Sequence, residues 1–204
     1  MSQIALPLRA GRGGPSRIVV GDANAAVFEA CAMANAWPFR TAVLAGPLRS
    51  GKSLTARWFA EQGLGEALDD ADRIDETELF HRWNRAQEAG TPLLVIKGSS
   101  PAEWKIALPD LASRLGAALQ LEIGTPDDAM LADLIAVHAE QRSLALGPEG
   151  IAYLAARAER SHLGAERLVA AIDRLSLERK AAPTQGIWRE ALEELLGPDE
   201  PRLL

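Results

Sequence analysis

The sequence has a single cysteine, fewer basic than acidic residues and no long apolar run, and each of these shortages excludes a class of protein. A single cysteine, Cys31, among 204 residues excludes an internal disulfide and a cysteine-based metal cluster. Lysine and arginine number 22 against 28 aspartates and glutamates, for a net charge of -6, so no broad basic surface for nucleic-acid backbone is expected. No apolar run reaches the 18 residues of a membrane span, and the start of the chain has no leader-like apolar region. These shortages predict a cytoplasmic protein that binds other proteins and no membrane.

The chain nevertheless has the composition of a folded protein. Hydrophobic residues make up 48% and charged residues 25%, which is ordinary for a globular domain. A length of 204 residues is enough for one substantial core and a small helical appendage. Cys31 falls on the apolar stripe of a helix predicted over 23–36, which favours a small core residue over a reactive thiol.

One stretch fits the phosphate-binding pattern G-x-x-x-x-G-K-[ST]. Its residues are Gly46, Pro47, Leu48, Arg49, Ser50, Gly51, Lys52 and Ser53. The glycines let the backbone curl with its N-H groups inward, Lys52 adds a charge for the phosphates, and Ser53 suits magnesium. A short apolar strand over 41–45 precedes the stretch, and a helix beginning at Leu54 follows it. We interpret 46–53 as a P-loop; the alternative is a glycine-rich turn before a capped helix.

An acidic pair, Asp69 and Asp70, follows the P-loop helix. In P-loop proteins an apolar strand ends in acidic residues that hold magnesium through water and polarise the attacking water. The strand before this pair is only Ala67-Leu68, so an acidic surface loop is the alternative. The apolar stretch 92–97 predicts a central parallel strand. The tip of this strand, at Ile96, offers no polar side chain that could sense a phosphate.

An arginine stands on a predicted helical turn over 108–115, ahead of a strand over 119–123. Arg114 has the chemistry of an arginine finger, which acts on a nucleotide bound by a partner. From the residues alone, a surface arginine is the alternative.

The first 17 residues predict a flexible tail, because 9–17 is rich in glycine, proline and arginine. A compact apolar peptide precedes that linker, formed by Gln3, Ile4, Ala5, Leu6, Pro7 and Leu8. Such a peptide either docks in a partner's groove, with Gln3 hydrogen-bonding and the leucines as anchors, or forms a strand on its own domain.

Beyond Gly124 the patterns are helical, with four helices predicted over 125–143, 148–159, 163–179 and 185–196. A cap at Thr125 with Pro126 at the first helical position is expected to open the first of them. The predicted domains are therefore a tail over 1–17, an α/β nucleotide-binding core over 18–124 and an all-α lid over 125–204.

Taken together, these motifs resemble the DnaA-like branch of the AAA+ ATPases, and within it the Hda-like regulators of chromosome replication. Residues 46–53 are similar to its Walker A motif, Asp69-Asp70 to Walker B, and 108–115 to the box that carries the arginine finger. Segment 19–24, with Val20, is similar to the part that lies beside the adenine. Residues 3–8 look like the peptide by which such regulators bind the β sliding clamp.

The resemblance implies a function and partners. It implies ADP or ATP bound at 46–54 and Val20, with Mg²⁺ at Ser53 and Asp69. It also implies the clamp as one partner and the initiator DnaA as another, whose ATP hydrolysis Arg114 would complete. The helix-turn-helix domain of DnaA has no counterpart, so sequence-specific DNA binding is not expected, and a homodimer is left open.

Three departures modify that expectation. Only residues 54–68 separate the P-loop from the acidic pair, so a reduced parallel sheet is predicted. The strand-tip sensor is missing at Ile96, and Glu166 stands where a lid arginine is expected, with Arg167 beside it. Intrinsic hydrolysis is therefore expected to be weak. The competing hypotheses are a self-contained small P-loop ATPase or kinase, and a nucleotide-free adaptor tethered to the clamp.

Overall fold

A computed structural model describes residues 4–7, 17–98 and 104–197. The chain divides into two compact units. One, the α/β unit, comprises residues 23–124; the other, the helical unit, comprises 1–22 together with 125–204.

The first two strands form an antiparallel hairpin in the helical unit. β1 (Ile4–Pro7) pairs with β2 (Arg17–Val20), with Leu6 opposite Ile18. Pairing satisfies the backbone groups of two short apolar segments, which a free tail would leave to water. The tail predicted over 1–17 therefore contains a strand at its start, while Gln3 and Leu8 lie outside the described residues.

Segment 18–22, which the sequence assigns to the α/β core, lies in the helical unit instead. Ile18 and Val19 of β2 are buried, and Arg17 donates a hydrogen bond of 2.9 Å to Oε1 of Glu140. Apolar contact and an exposed ion pair thus tie β2 to residues more than a hundred positions away, a contact that local patterns do not predict.

The α/β unit is built on a parallel sheet of four strands. These strands are β3 (Thr41–Ala45), β4 (Glu66–Leu68), β5 (Leu93–Ile96) and β6 (Leu119–Glu122), in the order β4-β5-β3-β6. The predicted reduced parallel sheet is confirmed. Gly65 permits the tight entry into β4, since a Cβ there would lie 2.3 Å from the carbonyl oxygen of Pro92.

Helices cover both faces of this sheet. They are α1 (Ala25–Ala32), α2 (Lys52–Glu61), α3 (Glu76–Ala89) and α4 (Pro109–Ala117). Because side chains alternate along a strand, one face of the sheet packs with α1 and α2, through Ala42, Leu44, Leu94 and Ile96. The other face packs with α3 and α4, through Val43, Leu93 and Val95.

Cys31 is a core residue of the layer formed with α1 and α2. It is 0% exposed, and burial raises the pKa of its thiol to about 12.

α3 starts at a residue whose side chain caps the helix, whereas α1 starts later than predicted. Asp75 caps α3, accepting hydrogen bonds from the N-H groups of Thr77 and Glu78 at 3.0 and 3.1 Å. The helix predicted over 23–36 begins two residues later, after Asn24, and the carbonyl of Ala23 accepts from the N-H of Gly124 at 2.8 Å.

The helical unit contains the four predicted helices. They are α5 (Asp128–Gln141), α6 (Pro148–Ala155), α7 (His162–Arg179) and α8 (Gln185–Leu196). The cap predicted at Thr125 is wrong. The carboxylate of Asp127 caps the helix instead, accepting from the N-H of Met130 at 2.7 Å, and α5 begins at Asp128. Leu131, Leu168 and Ile172 are 0 to 1% exposed in the core of this unit. None of the described helices has the length and apolarity needed to cross a bilayer.

Candidate functional site: a phosphate loop at the carboxyl edge of the sheet

Three segments meet at the carboxyl edge of the parallel sheet. The loop 46–51 follows β3, the acidic turn 69–72 follows β4, and 97–98 follows β5. Carboxyl ends of parallel strands lie side by side, which is where open α/β sheets bind ligands. The structure therefore brings the predicted P-loop and the predicted acidic pair to one edge.

Glycine is required at both ends of the loop. A Cβ on Gly46 would lie 3.0 Å from Cβ of Ile123 and 3.0 Å from Oγ of Ser50. Gly51 has a φ of +89°, a conformation that side chains disfavour, and it turns the chain directly into α2. Arg49 also has a positive φ of 64°, a conformation that is costly for a residue other than glycine.

The ammonium of Lys52 lies folded back on its own loop. Lys52 is only 6% exposed, and its Nζ donates to the carbonyl oxygens of Gly46 at 2.9 Å and Pro47 at 3.0 Å. These acceptors are neutral, and an anionic oxygen is a stronger acceptor for an ammonium. The buried ammonium of Lys52 therefore binds carbonyl oxygens that an anionic ligand can replace.

Opposing electrostatic influences act on this lysine. Burial lowers the pKa of Lys52 below its usual value, whereas the carboxylates of Asp69, Asp70 and Asp72 act in the opposite direction, and Lys97 reinforces the lowering. The direction of the net effect shows that desolvation outweighs the carboxylates. A further negative charge at the loop would favour the protonated form of Lys52.

A buried hydroxyl in the loop has no hydrogen-bond partner in the part of the chain that the structure describes. Among the described residues, Oγ of Ser50 makes no hydrogen bond, although the residue is only 6% exposed. An unsatisfied buried polar group costs roughly 1–3 kcal/mol. The first turn of α2 adds backbone N-H groups and the positive end of a helix dipole. The residues of the loop therefore fit a phosphate-bearing ligand.

The acidic pair lies on the solvent side of this edge. Asp69 and Asp70 are both exposed. Oδ1 of Asp69 accepts a hydrogen bond of 3.0 Å from the N-H of Asp70. Oδ2 of Asp70 lies 3.6 Å from Nη1 of Arg73, as an exposed ion pair. Ser53, the other predicted magnesium ligand, is exposed in the first turn of α2. Within the described ranges, no three acidic, histidine or cysteine side chains cluster as metal ligands. A site with few protein ligands is typical of magnesium shared with phosphates.

Asp72 is a site residue that the sequence analysis did not single out. Its Oδ1 accepts from the N-H of Gly98 at 2.7 Å, joining the end of β4 to the tip of β5. A Cβ on Gly98 would lie 2.3 Å from the same oxygen, so glycine permits this contact. The sequence shows that Asp72 follows closely after the acidic pair. The direction in which its side chain points, however, depends on the 3-10 turn over 71–73.

Arg114 lies on the other side of the unit. Its guanidinium carbon is 4.9 Å from the ring centroid of Phe80 and 4.3 Å from that of Trp83, and the residue is half-buried. Trp83 donates from Nε1 to Oγ1 of Thr41 at 3.1 Å. Thr41 begins β3 whereas the loop follows its end, four residues or roughly 13 Å along a strand. The structure thus does not bring Arg114 to the phosphate loop of its own chain.

The remaining predicted residues belong to the helical unit. Val20 ends β2, and Glu166 and Arg167 lie in the first half of α7. Arg167 lines a groove between α7 and the end of α8, together with Leu168, Leu192 and Leu195. Exposed leucines at the end of α8 make this groove partly apolar.

Comparison with known proteins identifies the fold. The sequence matches no protein-family model and no curated protein. The structure is similar to domain III of the Thermotoga maritima replication initiation protein DnaA, with a TM-score of 0.70 and 15% identity over 89% of this chain and 95% of that one. It is also similar to AMPPCP-bound DnaA from Aquifex aeolicus, with a TM-score of 0.59 and 16% identity over 87% of this chain and 68% of that one.

A third similar structure is the Thermotoga maritima RuvB Holliday junction branch migration motor. Its TM-score is 0.59 and its identity 16%, over 89% of this chain and 73% of that one. At identities this low the likeness concerns the fold. Together with the parallel sheet, the loop after β3 and the helices that follow β6, it leads to one conclusion: the chain has the AAA+ P-loop fold found in DnaA and RuvB.

Substitution of the unpartnered hydroxyl tests the loop geometry. Without nucleotide, Ser50→Ala is expected to leave the free energy of unfolding unchanged or to raise it by up to about 1 kcal/mol, because it removes an unsatisfied buried group. Thr55→Val is the matched control: Oγ1 of Thr55 donates to the carbonyl of Gly51 at 3.1 Å, and its loss should cost about 1 kcal/mol. Urea unfolding measures both; equal destabilisation would contradict the geometry.

Proposed function

We propose that this chain is a DnaA-related AAA+ regulator of replication initiation. It binds adenine nucleotide at 46–53 and the β sliding clamp through residues 3–8. It promotes hydrolysis of the ATP held by DnaA by supplying Arg114. The observation that carries the proposal is the separation, within one α/β unit, of a loop that fits phosphate from an arginine that does not reach it.

Nucleotide binding is supported by the state of the loop. Lys52 is buried on carbonyl acceptors that an anion can replace, and Ser50 presents a buried hydroxyl without a partner among the described residues. Leu54 follows in the first turn of α2. The similar DnaA of Aquifex aeolicus is described as bound to AMPPCP, which also supports an adenine nucleotide.

Magnesium is assigned to Ser53 and Asp69, which fit a hard cation that retains water and phosphate ligands. Ser53 and Asp69 would hold the ion, which would supply positive charge to neutralise the phosphates. Asp69 and Asp70 provide carboxylates for orienting water. The exposure of this acidic pair and the occupation of the Gly98 N-H by Asp72 support weak hydrolysis by the chain itself.

The role of Arg114 is supported by its chemistry and its place. The guanidinium of Arg114 is stacked on two rings, and among the described residues it forms no ion pair or hydrogen bond. Charge that develops on a transferring phosphoryl group is stabilised by such a donor in a water-poor interface. Because Arg114 lies away from the loop of its own chain, the proposal gives it a phosphate that another molecule holds.

Removal of the loop ammonium tests nucleotide binding. Calorimetry with ADP and Mg²⁺ is expected to give saturable heat for the intact chain and at least about tenfold weaker binding for Lys52→Ala, since the charged donor is lost. Lys105→Ala, at an exposed lysine outside the loop, is the control and should bind like the intact chain. Absence of heat with the intact chain would contradict nucleotide binding and favour the nucleotide-free adaptor.

Removal of the finger tests the action on DnaA. With clamp and ATP-loaded DnaA present, Arg114→Ala is expected to lower stimulated phosphate release at least about 100-fold, since arginine fingers contribute factors of 10³ to 10⁵. Arg85→Ala, at an exposed arginine on α3, should stimulate normally. ADP binding by Arg114→Ala should persist. Undiminished stimulation by Arg114→Ala would refute this role, and robust turnover without DnaA would favour a self-contained ATPase.

Clamp binding is proposed for the N-terminal peptide. Residues 4–7 form a strand paired with β2, the alternative that the sequence left open, so docking in the clamp requires this strand to leave β2 and enter a groove in its extended conformation. On immobilised clamp, the chain lacking residues 1–8 is expected to lose binding, and a synthetic peptide of residues 1–10 should compete with the intact chain. Leu177→Ala, at an exposed leucine outside the peptide and the phosphate loop, is the control. Equal binding by the truncated chain would remove the assignment.

A further inference from the structure

Three side chains of α3 form a stripe that faces α4. Glu76, Phe80 and Trp83 are spaced four and three residues apart, and this spacing places them on one side of a helix. Each makes a specific contact with α4 or with the segment just before it. We call this set the α3 platform.

The platform fixes the start of α4 through a carboxylate. Oε1 of Glu76 accepts from the N-H of Ala107 at 2.9 Å, and Oε2 accepts from the N-H of Leu108 at 2.7 Å. α4 begins at the next residue, Pro109. Both oxygens of one carboxylate therefore hold the backbone that leads into the helix of Arg114.

The platform also supports the guanidinium itself. The guanidinium carbon of Arg114 lies 4.9 Å and 4.3 Å from the ring centroids of Phe80 and Trp83, within the range of a cation-π contact. The indole of Trp83 is held in turn, because the residue is 5% exposed and its Nε1-H donates a hydrogen bond to Oγ1 of Thr41. Arg114 thus rests on an aromatic surface of which one ring is anchored to β3.

Stacking engages the faces of a guanidinium and leaves its in-plane N-H groups to other acceptors. Among the described residues, no carboxylate or carbonyl engages them in Arg114. We propose that Phe80 and Trp83 are positioning residues, which hold the Arg114 guanidinium by its faces so that its N-H edge is oriented for a phosphate from another molecule. This inference rests on the proposed function of Arg114 and adds the residues that act through it.

The position of Arg114 can be tested without any partner. Its side-chain Nε-Hε resonance, identified by its loss in Arg114→Lys, should be displaced by the ring currents of the stacked aromatics. In Phe80→Leu the resonance should move towards the position of an unstacked arginine, and in Phe80→Tyr, which keeps a ring, it should not. Arg157, whose guanidinium carbon lies 4.0 Å from the ring centroid of Tyr153, is an internal reference that should stay in place.

The catalytic consequence is measured in the DnaA assay with clamp. Phe80→Leu is expected to lower kcat for stimulated hydrolysis about 2- to 5-fold, the size of a cation-π contact, with KM for DnaA unchanged. Phe80→Tyr should restore kcat, which a loss of side-chain volume alone does not predict. Trp83→Phe keeps a ring and should also retain most of the activity.

Outcomes separate the two proposals. An Arg114 resonance that does not move in Phe80→Leu, or a kcat equal to that of the intact chain, overturns the positioning role. If the intact chain does not stimulate DnaA, the proposed function fails, and the resonance still decides whether the platform holds Arg114.

Discussion

The buried ammonium of Lys52 is the interaction on which the candidate site depends. A cation that is 6% exposed must have partners, and the carbonyls of Gly46 and Pro47 supply them. This arrangement draws the loop around the ammonium and explains why Gly46 passes so close to Ile123. It also leaves Ser50 with a buried hydroxyl and no partner among the described residues. The loop is therefore compact, with polar groups that a phosphate would satisfy better than the loop does itself.

The parallel sheet gives the α/β unit two edges with different chemistry. At the carboxyl edge stand the phosphate loop and the acidic turn, which Asp72 joins to the tip of β5 through Gly98. Nearer the amino edge, Trp83 connects the start of β3 to Arg114. A chain that used Arg114 on its own nucleotide would need both at one edge. The observed arrangement supports the proposed function, in which the chain receives nucleotide at one surface and offers Arg114 to a neighbour at another.

Local patterns predicted much of this fold. β3 occupies the predicted residues, Asp75 caps α3, and the acidic pair follows β4, because strand burial, capping and glycine turns are properties of short segments. A strand near the start of the chain was one of two alternatives that the sequence left open, but its pairing with β2, ten residues further along, was not predicted, because local patterns do not identify the partner of a strand. The bond from Gly98 to Asp72 and the stacking of Arg114 on Phe80 depend on tertiary packing. Sequence spacing identified these residue types, but only the folded chain gives their partners.

Hydrogen exchange at the phosphate loop is the most direct test of the account. Amide exchange of the full chain is measured with and without ADP and Mg²⁺, residue by residue. If the loop receives the phosphates, the amides of 46–54 should become protected, because their N-H groups gain acceptors and the first turn of α2 opens less often. Exchange in 46–54 that is unchanged by saturating ADP, or protection confined to the groove between α7 and α8, would contradict the account.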